Sequence, residues 1–197
     1  MSISVGLNIE IEPIPVCELK QYKPILPQFL LETFHDRLVQ LWNRSIAKLF
    51  RYLIELHFNG IRPFVELKNR RPKIDFRSST SLDDQIKEAL SEDFEFQKYS
   101  ERVKLLNSVF NPENNNSNDL RNMHKHVHVR NCLQHKEGYI DSFFLKDLGL
   151  NEIGMLDHNA NLMTYNLNDR IILSIPEFDG FRRSLLLVGQ VWRTWNV

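Results

Sequence analysis

Apolar and polar residues alternate along the first part of the chain, and helical spacing takes over afterwards. Between Ser2 and Val16 the pattern has a period of two, which is typical of a strand or an extended arm. Prolines then forbid a helix before about residue 27, at positions Pro13, Pro15, Pro24 and Pro27. We therefore predict an extended N-terminal arm over residues 1–26.

Two long helices are predicted next. From Pro27 to Phe58 apolar residues recur at three- and four-residue steps, and Asn59-Gly60 is a stop signal, so one long helix is expected. A second helix begins in the segment 79–84, whose serines and acids suit a helix start, and continues to about residue 110. The apolar stripe drifts over residues 94–99, which indicates a bend there.

A third helix follows an asparagine-rich loop. Residues 111–118 contain no apolar residue except proline, which is typical of a loop. The pattern then predicts a helix from about Asp119 to His135, and Gly138 suits the left-handed position that ends it. The long helices therefore occupy residues 27–135.

The rest of the chain, residues 136–197, predicts an irregular segment, a hairpin and a closing helix. Residues 140–148 favour a short helix, and residues 162–165 are expected to pair with 171–173 through a turn. Pro176 and Glu177 suit the start of the closing helix. The expected fold is mainly α, one domain over 1–197, with a short β-hairpin before the C-terminal helix.

Composition limits the classes of function. Lysine plus arginine equals aspartate plus glutamate, at 25 each, so any contact with RNA must come from local patches. Cys17 and Cys132 are far apart in sequence, which argues against a disulfide framework or a cysteine-based zinc site. No apolar run is long enough for a membrane span and the N-terminus does not resemble a signal peptide, so we expect a cytoplasmic protein without a membrane partner.

Four of the seven histidines fall within the twelve residues from His124 to His135, on the third predicted helix. The four- and three-residue steps put His124, His128, Asn131 and His135 on one stripe, whereas Arg130 lies off that stripe.

Three interpretations of this cluster compete. His124 and His128 have the spacing of two metal ligands on one helical face, although position 125 is Lys and further ligands are not identifiable. In a second interpretation the histidines are structural and line or cap a polar face of the bundle. The third interpretation is general acid–base chemistry by one histidine beside one arginine, as phosphodiester cleavage would use.

The segment Arg130-Asn131-Cys132-Leu133-Gln134-His135 resembles the motif of HEPN domains, which have arginine, commonly asparagine next, and then histidine after a short gap. Its position near the end of a helix and before a glycine turn is similar too. The order of long helix, second helix, motif helix, irregular segment and closing helix also resembles the HEPN helical bundle across most of the chain.

The resemblance implies an endoribonuclease that needs no metal and no cofactor and acts as a toxin or defence effector. Two copies of the motif would meet across a homodimer to form a composite site. By position, Arg130 would hold the scissile phosphate, and Asn131 would orient the catalytic groups or the phosphate. His135 would act as base on the ribose 2′-OH or as acid toward the leaving oxygen, leaving a 2′,3′-cyclic phosphate. Arginine and histidine suit these roles chemically.

Supporting residues follow from the same resemblance, which often places a polar residue of the first helix beside the pair. Candidates are Glu32, Asp36 and Asn43, with His128 on the motif helix itself. Candidate RNA-binding residues are Arg121, Lys125 and Lys136 along the motif helix, and Arg70 and Arg71 in the basic loop 68–73, although a solvated connector is the more common role of such a loop.

Two further expectations concern regulation and loss of function. Some HEPN toxins carry a tyrosine two residues after the motif histidine that a partner enzyme modifies, but that position is Glu137 here and the nearest tyrosine is Tyr139. That route is therefore not expected, although an antitoxin or other regulatory partner is. The alternative function is a non-catalytic HEPN-like module that binds RNA or protein, because a fold can persist after its chemistry is lost.

Overall fold

The computed structural model describes residues 3–5, 9–11, 23, 25–67, 73–75, 77 and 79–193. Its α-helices are α1 (Leu26–Phe58), α2 (Leu82–Phe96), α3 (Tyr99–Phe110), α4 (Ser117–His135), α5 (Ser142–Leu148) and α6 (Ile175–Arg193). Strands β1 (Ile3–Val5) and β2 (Ile9–Ile11) form one antiparallel pair, and β3 (Ile153–Leu156) and β4 (Leu162–Tyr165) form another. The prediction of a mainly helical chain with a short hairpin before the last helix is confirmed.

Helix α1 agrees with its sequence pattern. Proline occupies its first turn, as the fixed φ angle of this residue allows, and the chain turns at Gly60 with φ 69°. One stripe of the helix is buried at three- and four-residue steps: His35, Val39, Trp42, Ile46, Phe50 and Leu53. No described helix combines the length and the apolar character that a membrane span requires.

The prediction of one bent helix up to residue 110 is wrong, because this stretch contains two helices. Gln97 and Lys98 adopt extended backbone angles, with ψ of 157° and 144°, and separate α2 from α3. The break lets the first residue of α3 turn toward α1, where the Tyr99 hydroxyl accepts a 2.9 Å hydrogen bond from Trp42 Nε1. The contact between Tyr99 and Trp42 therefore lies in the segment 94–99, where the sequence pattern of apolar residues shifts.

The predicted hairpin partner is also wrong. Strand β4 pairs with β3, in the register Ile153 to Tyr165, and not with residues 171–173. The turn at 166–169 does form, since Asp169 N donates to Asn166 O at 3.1 Å. The chain after it pairs instead with the segment that follows α4, where Ile171 N donates to Gly138 O at 2.9 Å. Ile171 and Leu173 are thereby buried under the motif helix.

Two apolar clusters hold the helices together. The larger lies between α1, α2, α3, α4 and α6 and includes Phe50, Phe94 and Phe181. The smaller lies below the C-terminal half of α4 and contains Val129, Cys132, Ile140, Phe144, Leu145, Ile153, Met155, Ile171 and Leu173. Each large buried side chain contributes about 1.5–3 kcal/mol, so the second cluster fixes the backbone of the motif.

Candidate active site

The motif occupies the last two turns of α4, where one face of the helix is buried and the opposite face is exposed. Val129 and Cys132 are buried in the smaller cluster, whereas Asn131 and His135 are exposed and Arg130 is a quarter exposed. The helix ends as predicted, because Gly138 has φ 87° and its N–H donates to Cys132 O at 2.9 Å. The three candidate catalytic side chains therefore project from a fixed helix end toward the surface.

Helix α1 orients the arginine of the motif. Arg130 Nε donates a 2.8 Å hydrogen bond to Asp36 Oδ1, and Arg130 Nη1 donates to Asn131 Oδ1 at 3.1 Å. The other oxygen of Asp36 accepts a 2.7 Å bond from Gln40 Nε2, one turn further along α1. A carboxylate that is itself held in place thus fixes the plane of the guanidinium.

Within one chain, the arginine and the histidine of the motif line two different clefts. The cleft with the arginine is lined by Phe29, Glu32, Thr33, His35, Asp36, Arg130, Leu133 and Gln134. The cleft with the histidine is lined by His128, Asn131, Cys132, His135, Lys136, Asp141, Phe143 and Phe144. Asn131 links them, since it lines the second cleft and accepts a hydrogen bond from Arg130.

The supporting candidates have different places in the structure. Asp36 contacts Arg130 directly, and Glu32 lines the same cleft while accepting a 2.7 Å hydrogen bond from Gln28. Asn43 lies away from the motif, where Arg102 Nη2 contacts its side-chain oxygen at 3.4 Å. His128 lines the second cleft, but its Nε2 lies 2.8 Å from Asp147 Oδ2.

The basic residues proposed to bind RNA do not form one strip. Arg121 is exposed, and Lys136 is half exposed with its Nζ 2.6 Å from Asp141 Oδ2. That hydrogen bond raises the pKa of Lys136 and lowers the pKa of Asp141. Lys125 instead points inward, where Nζ donates to Glu177 Oε1 at 2.5 Å and to Gly154 O, so its ammonium group is bound to acceptors of the protein itself. Arg70 and Arg71 lie outside the described residues.

A buried polar cluster lies behind the arginine. His35 Nε2 and His126 Nδ1 are 3.0 Å apart, and His126 Nε2 lies 3.1 Å from Glu177 Oε1 without hydrogen-bond geometry. Burial lowers the pKa of His35 to about 3 and that of His126 to about 4, so both rings are neutral. Burial opposes ionisation of Glu177, but contacts with His126 and Lys125 outweigh it and lower its pKa to about 2.

Two acidic residues near the motif were not identified from the sequence. Asp141 caps α5, where its Oδ1 accepts a 2.7 Å hydrogen bond from Phe144 N, and it also binds Lys136. Asp147, in the last turn of α5, contacts His124 as well as His128. A capping aspartate before an apolar helix is a recognisable signal, whereas nothing local in the sequence connects Asp147 with the histidines of α4.

The cysteines contribute no reactive group among the described residues. Cys132 is buried, and burial raises the pKa of its thiol to about 11, while Cys17 lies outside the described residues. Comparison with known proteins found no matching family model, curated protein or solved structure for this chain.

Proposed function

We propose that this chain is a HEPN-type endoribonuclease that cuts RNA without a metal ion and leaves a 2′,3′-cyclic phosphate. The observation that carries the proposal is the arrangement at the end of α4. Arg130 is oriented by Asp36 and reaches Asn131, and His135 projects from the next turn of the same helix end. An anion-binding fork and an exposed imidazole are the two groups that phosphodiester cleavage requires, and here they project from one helix end into two neighbouring clefts that share Asn131 as a link.

The reaction assigns one role to each group. A histidine takes the proton of the ribose 2′-OH, and the 2′ oxygen forms a bond to phosphorus while the bond from phosphorus to the 5′ oxygen breaks. A second histidine gives a proton to the leaving 5′ oxygen. The Arg130 guanidinium neutralises the charge that develops on the non-bridging oxygens, and Asn131 holds the guanidinium in place. One chain supplies only one motif histidine, so His135 of a second copy completes the set.

An exposed apolar face supports this assembly. The first two turns of α1 expose Phe29 to 64% and Leu30 to 42%, and Phe34 follows at 60%. Phe29 also lines the cleft that contains Arg130 and Asp36. Burying this face against a second copy would remove a large apolar area from water and bring another chain to the rim of the arginine cleft.

The substrate class follows from the charges that remain accessible. Arg121 and Lys136 are exposed on α4, on a chain whose overall formal charge is zero. Such a surface suits an RNA that is cut and released better than one that is held tightly. We propose a toxin or defence effector, and a regulatory partner protein would restrain the enzyme by covering the motif.

The test is incubation of the purified chain with total RNA in the presence of EDTA, followed by mapping of the cut ends. Parent protein is expected to leave cyclic-phosphate termini, and Arg130→Ala and His135→Ala proteins are expected to lose cleavage while keeping the parent circular-dichroism spectrum. His158→Ala, at an exposed histidine in the β3–β4 turn, is the matched control and keeps full activity. If both motif variants cut RNA as the parent does, the assignment is wrong.

One observation favours the alternative of a non-catalytic RNA- or protein-binding module. Two cations at the end of α4 are already paired with carboxylates: Arg130 of the motif with Asp36, and Lys136, directly after the motif, with Asp141. Such ion pairs would serve a structural role equally well. Saturable RNA binding without turnover, measured over several RNA classes, would support the module and exclude the nuclease.

A further inference from the structure

Three side chains from two helices converge on one point beside the motif. His124 Nε2 lies 2.9 Å from Asp147 Oδ2, and His128 Nε2 lies 2.8 Å from the same oxygen. The two histidines are one turn apart on α4, and the aspartate lies in the last turn of α5. The three potential ligand atoms all lie within 4.8 Å of one another.

We propose that His124, His128 and Asp147 bind one divalent transition-metal ion of the zinc class. A tetrahedral ion held at about 2.0–2.2 Å by two imidazole nitrogens and one carboxylate oxygen requires these atoms to be about 3.3–3.6 Å apart. The contacts of 2.8 and 2.9 Å therefore need to open by about 0.4–0.8 Å, and the two imidazole nitrogens lie within 4.8 Å of each other. Small rotations of the three side chains would therefore give the separations that the ion requires.

The surroundings hold the two imidazoles in position. The His128 ring stacks on Phe144, with centroids 5.2 Å apart and planes inclined by 10°, and the His124 ring lies 5.4 Å from that of Tyr99. All three ligand side chains are between 9% and 20% exposed, so they are packed yet reachable from solvent. His124 also lines a cleft of about 500 Å³, which leaves room for a water as the fourth ligand.

The donor set selects the class of ion. Two imidazoles and one carboxylate suit zinc and neighbouring transition metals, whereas magnesium and calcium prefer all-oxygen sites. Position 125 is Lys, and it is bound to Glu177, so the zinc-protease arrangement with a glutamate beside the first ligand is absent from this helix. The geometry therefore points to a structural ion that cross-links α5 to α4.

This role is separate from the proposed RNA chemistry. None of the three ligands is assigned a step in the proposed reaction, although His128 and Asp141, the residue that caps α5, both form part of the wall of the His135 cleft. An ion one turn before Asn131 would stiffen that wall without touching a phosphate. Metal binding and RNA cleavage can consequently fail independently of each other, and each has its own measurement.

The experiment titrates Zn²⁺ and Co²⁺ into full-length protein that has been stripped with EDTA and desalted. We expect one ion per chain, visible ligand-field absorption for Co²⁺, and a rise in Tm of roughly 5–10 °C when free Zn²⁺ is about 100 times Kd. Asp147→Asn and His124→Ala each remove one ligand and should weaken binding roughly 100-fold. His158→Ala, an exposed histidine elsewhere, should bind as the parent does.

The proposal is overturned if the parent protein shows no saturable metal binding, or if both ligand variants bind the metal with the affinity of the parent. It is also overturned if His158→Ala weakens metal binding as much as the ligand variants do, because the ions would then be bound by surface histidines. Circular dichroism shows whether each ligand variant folds. If one of the two does not fold, the metal affinity of the other ligand variant tests the proposal. The Co²⁺ spectrum of the parent gives a decision without any variant, because an ion outside a protein ligand set retains the weak absorption of its aqua complex.

Discussion

Asp36 accepts a 2.8 Å hydrogen bond from Nε of Arg130, 94 residues further along the chain. The bond uses one of the five N–H donors of the guanidinium, and Asn131 uses another. Donors on the remaining edge can therefore bind a phosphate while the first helix holds the group in a fixed plane. We infer that Asp36 acts through Arg130 as a positioning residue.

Substitution of Asp36 by asparagine tests this relationship. Asp36→Asn keeps the size of the side chain but removes its charge, so the guanidinium loses its orientation, and we expect kcat for RNA cleavage to fall roughly 10- to 100-fold with a smaller change in KM. Glu32→Gln is the matched control, because Glu32 lines the same cleft but bonds Gln28. Equal losses in both variants would mean that the cleft needs negative charge in general and not this bond.

Removal of the apolar face of α1 tests the assembly. Phe29→Ser and Phe34→Ser should convert a dimer into monomers in sedimentation and abolish cleavage, because the composite site needs two chains. Phe96 is 89% exposed at the end of α2, so Phe96→Ser is a control of the same chemistry at a distant place and should remain dimeric. A parent chain that sediments as an active monomer would contradict the composite site.

The buried carboxylate of Glu177 is expected to matter for stability. Glu177 is 5% exposed and contacts Lys125, His126 and Leu156 N, so Glu177→Gln leaves a partly buried lysine without its anion and should lower the free energy of unfolding by about 3 kcal/mol. Urea unfolding measures the change. Asp179→Asn, two residues later, removes only surface pairs with Arg182 and Arg183 and should have little effect. An equal loss of unfolding free energy in Glu177→Gln and Asp179→Asn would show that the buried network stabilises the fold no more than a surface ion pair does.

Local signals in the sequence were sufficient for the long helices. The periodicity from Pro27 to Phe58 and the Gly138 stop both correspond to observed ends of helices, because these signals depend on neighbouring residues alone. The break at Gln97 was not predicted, since neither it nor Lys98 carries a proline or glycine signal. The position of β3 was missed as well, because the apolar run Ile171-Ile172-Leu173 is the stronger strand signal in the sequence, yet Ile171 and Leu173 are buried under α4 instead of pairing with β4.

The candidate site shows the same division between local and tertiary information. The motif itself is contiguous, so its residues could be selected from sequence, but Asp36 could not be chosen over Glu32 and Asn43 without coordinates. Lys125 was predicted to bind RNA along the motif helix, but its ammonium group points inward because it forms an ion pair with the buried Glu177. Asp147 lies 19 residues after His128 on a different helix, and only tertiary packing brings the two together.

The buried His35 should make the stability of the fold depend on pH below neutrality. Burial, with His126 next in importance, lowers the pKa of His35 from 6.5 to about 3, so the unfolded chain binds a proton below pH 6.5 that the folded chain does not. Stability therefore falls as the pH falls from 6.5 toward 3. The contribution of this one group at pH 5 is about 2 kcal/mol relative to pH 7.5. The lowered pKa of Glu177 adds a loss of the same sign below pH 4.5.

Urea unfolding at pH 7.5 and pH 5.0, with EDTA present to exclude metal effects, measures this dependence. His35→Asn should be less stable at pH 7.5, because its packing against His126 and Phe181 is lost, but the drop in unfolding free energy between the two pH values should be about 2 kcal/mol smaller than in the parent. His158→Ala should show the parent profile, since that side chain is exposed. An unchanged drop in His35→Asn would show that the neutral buried ring does not govern the acid sensitivity.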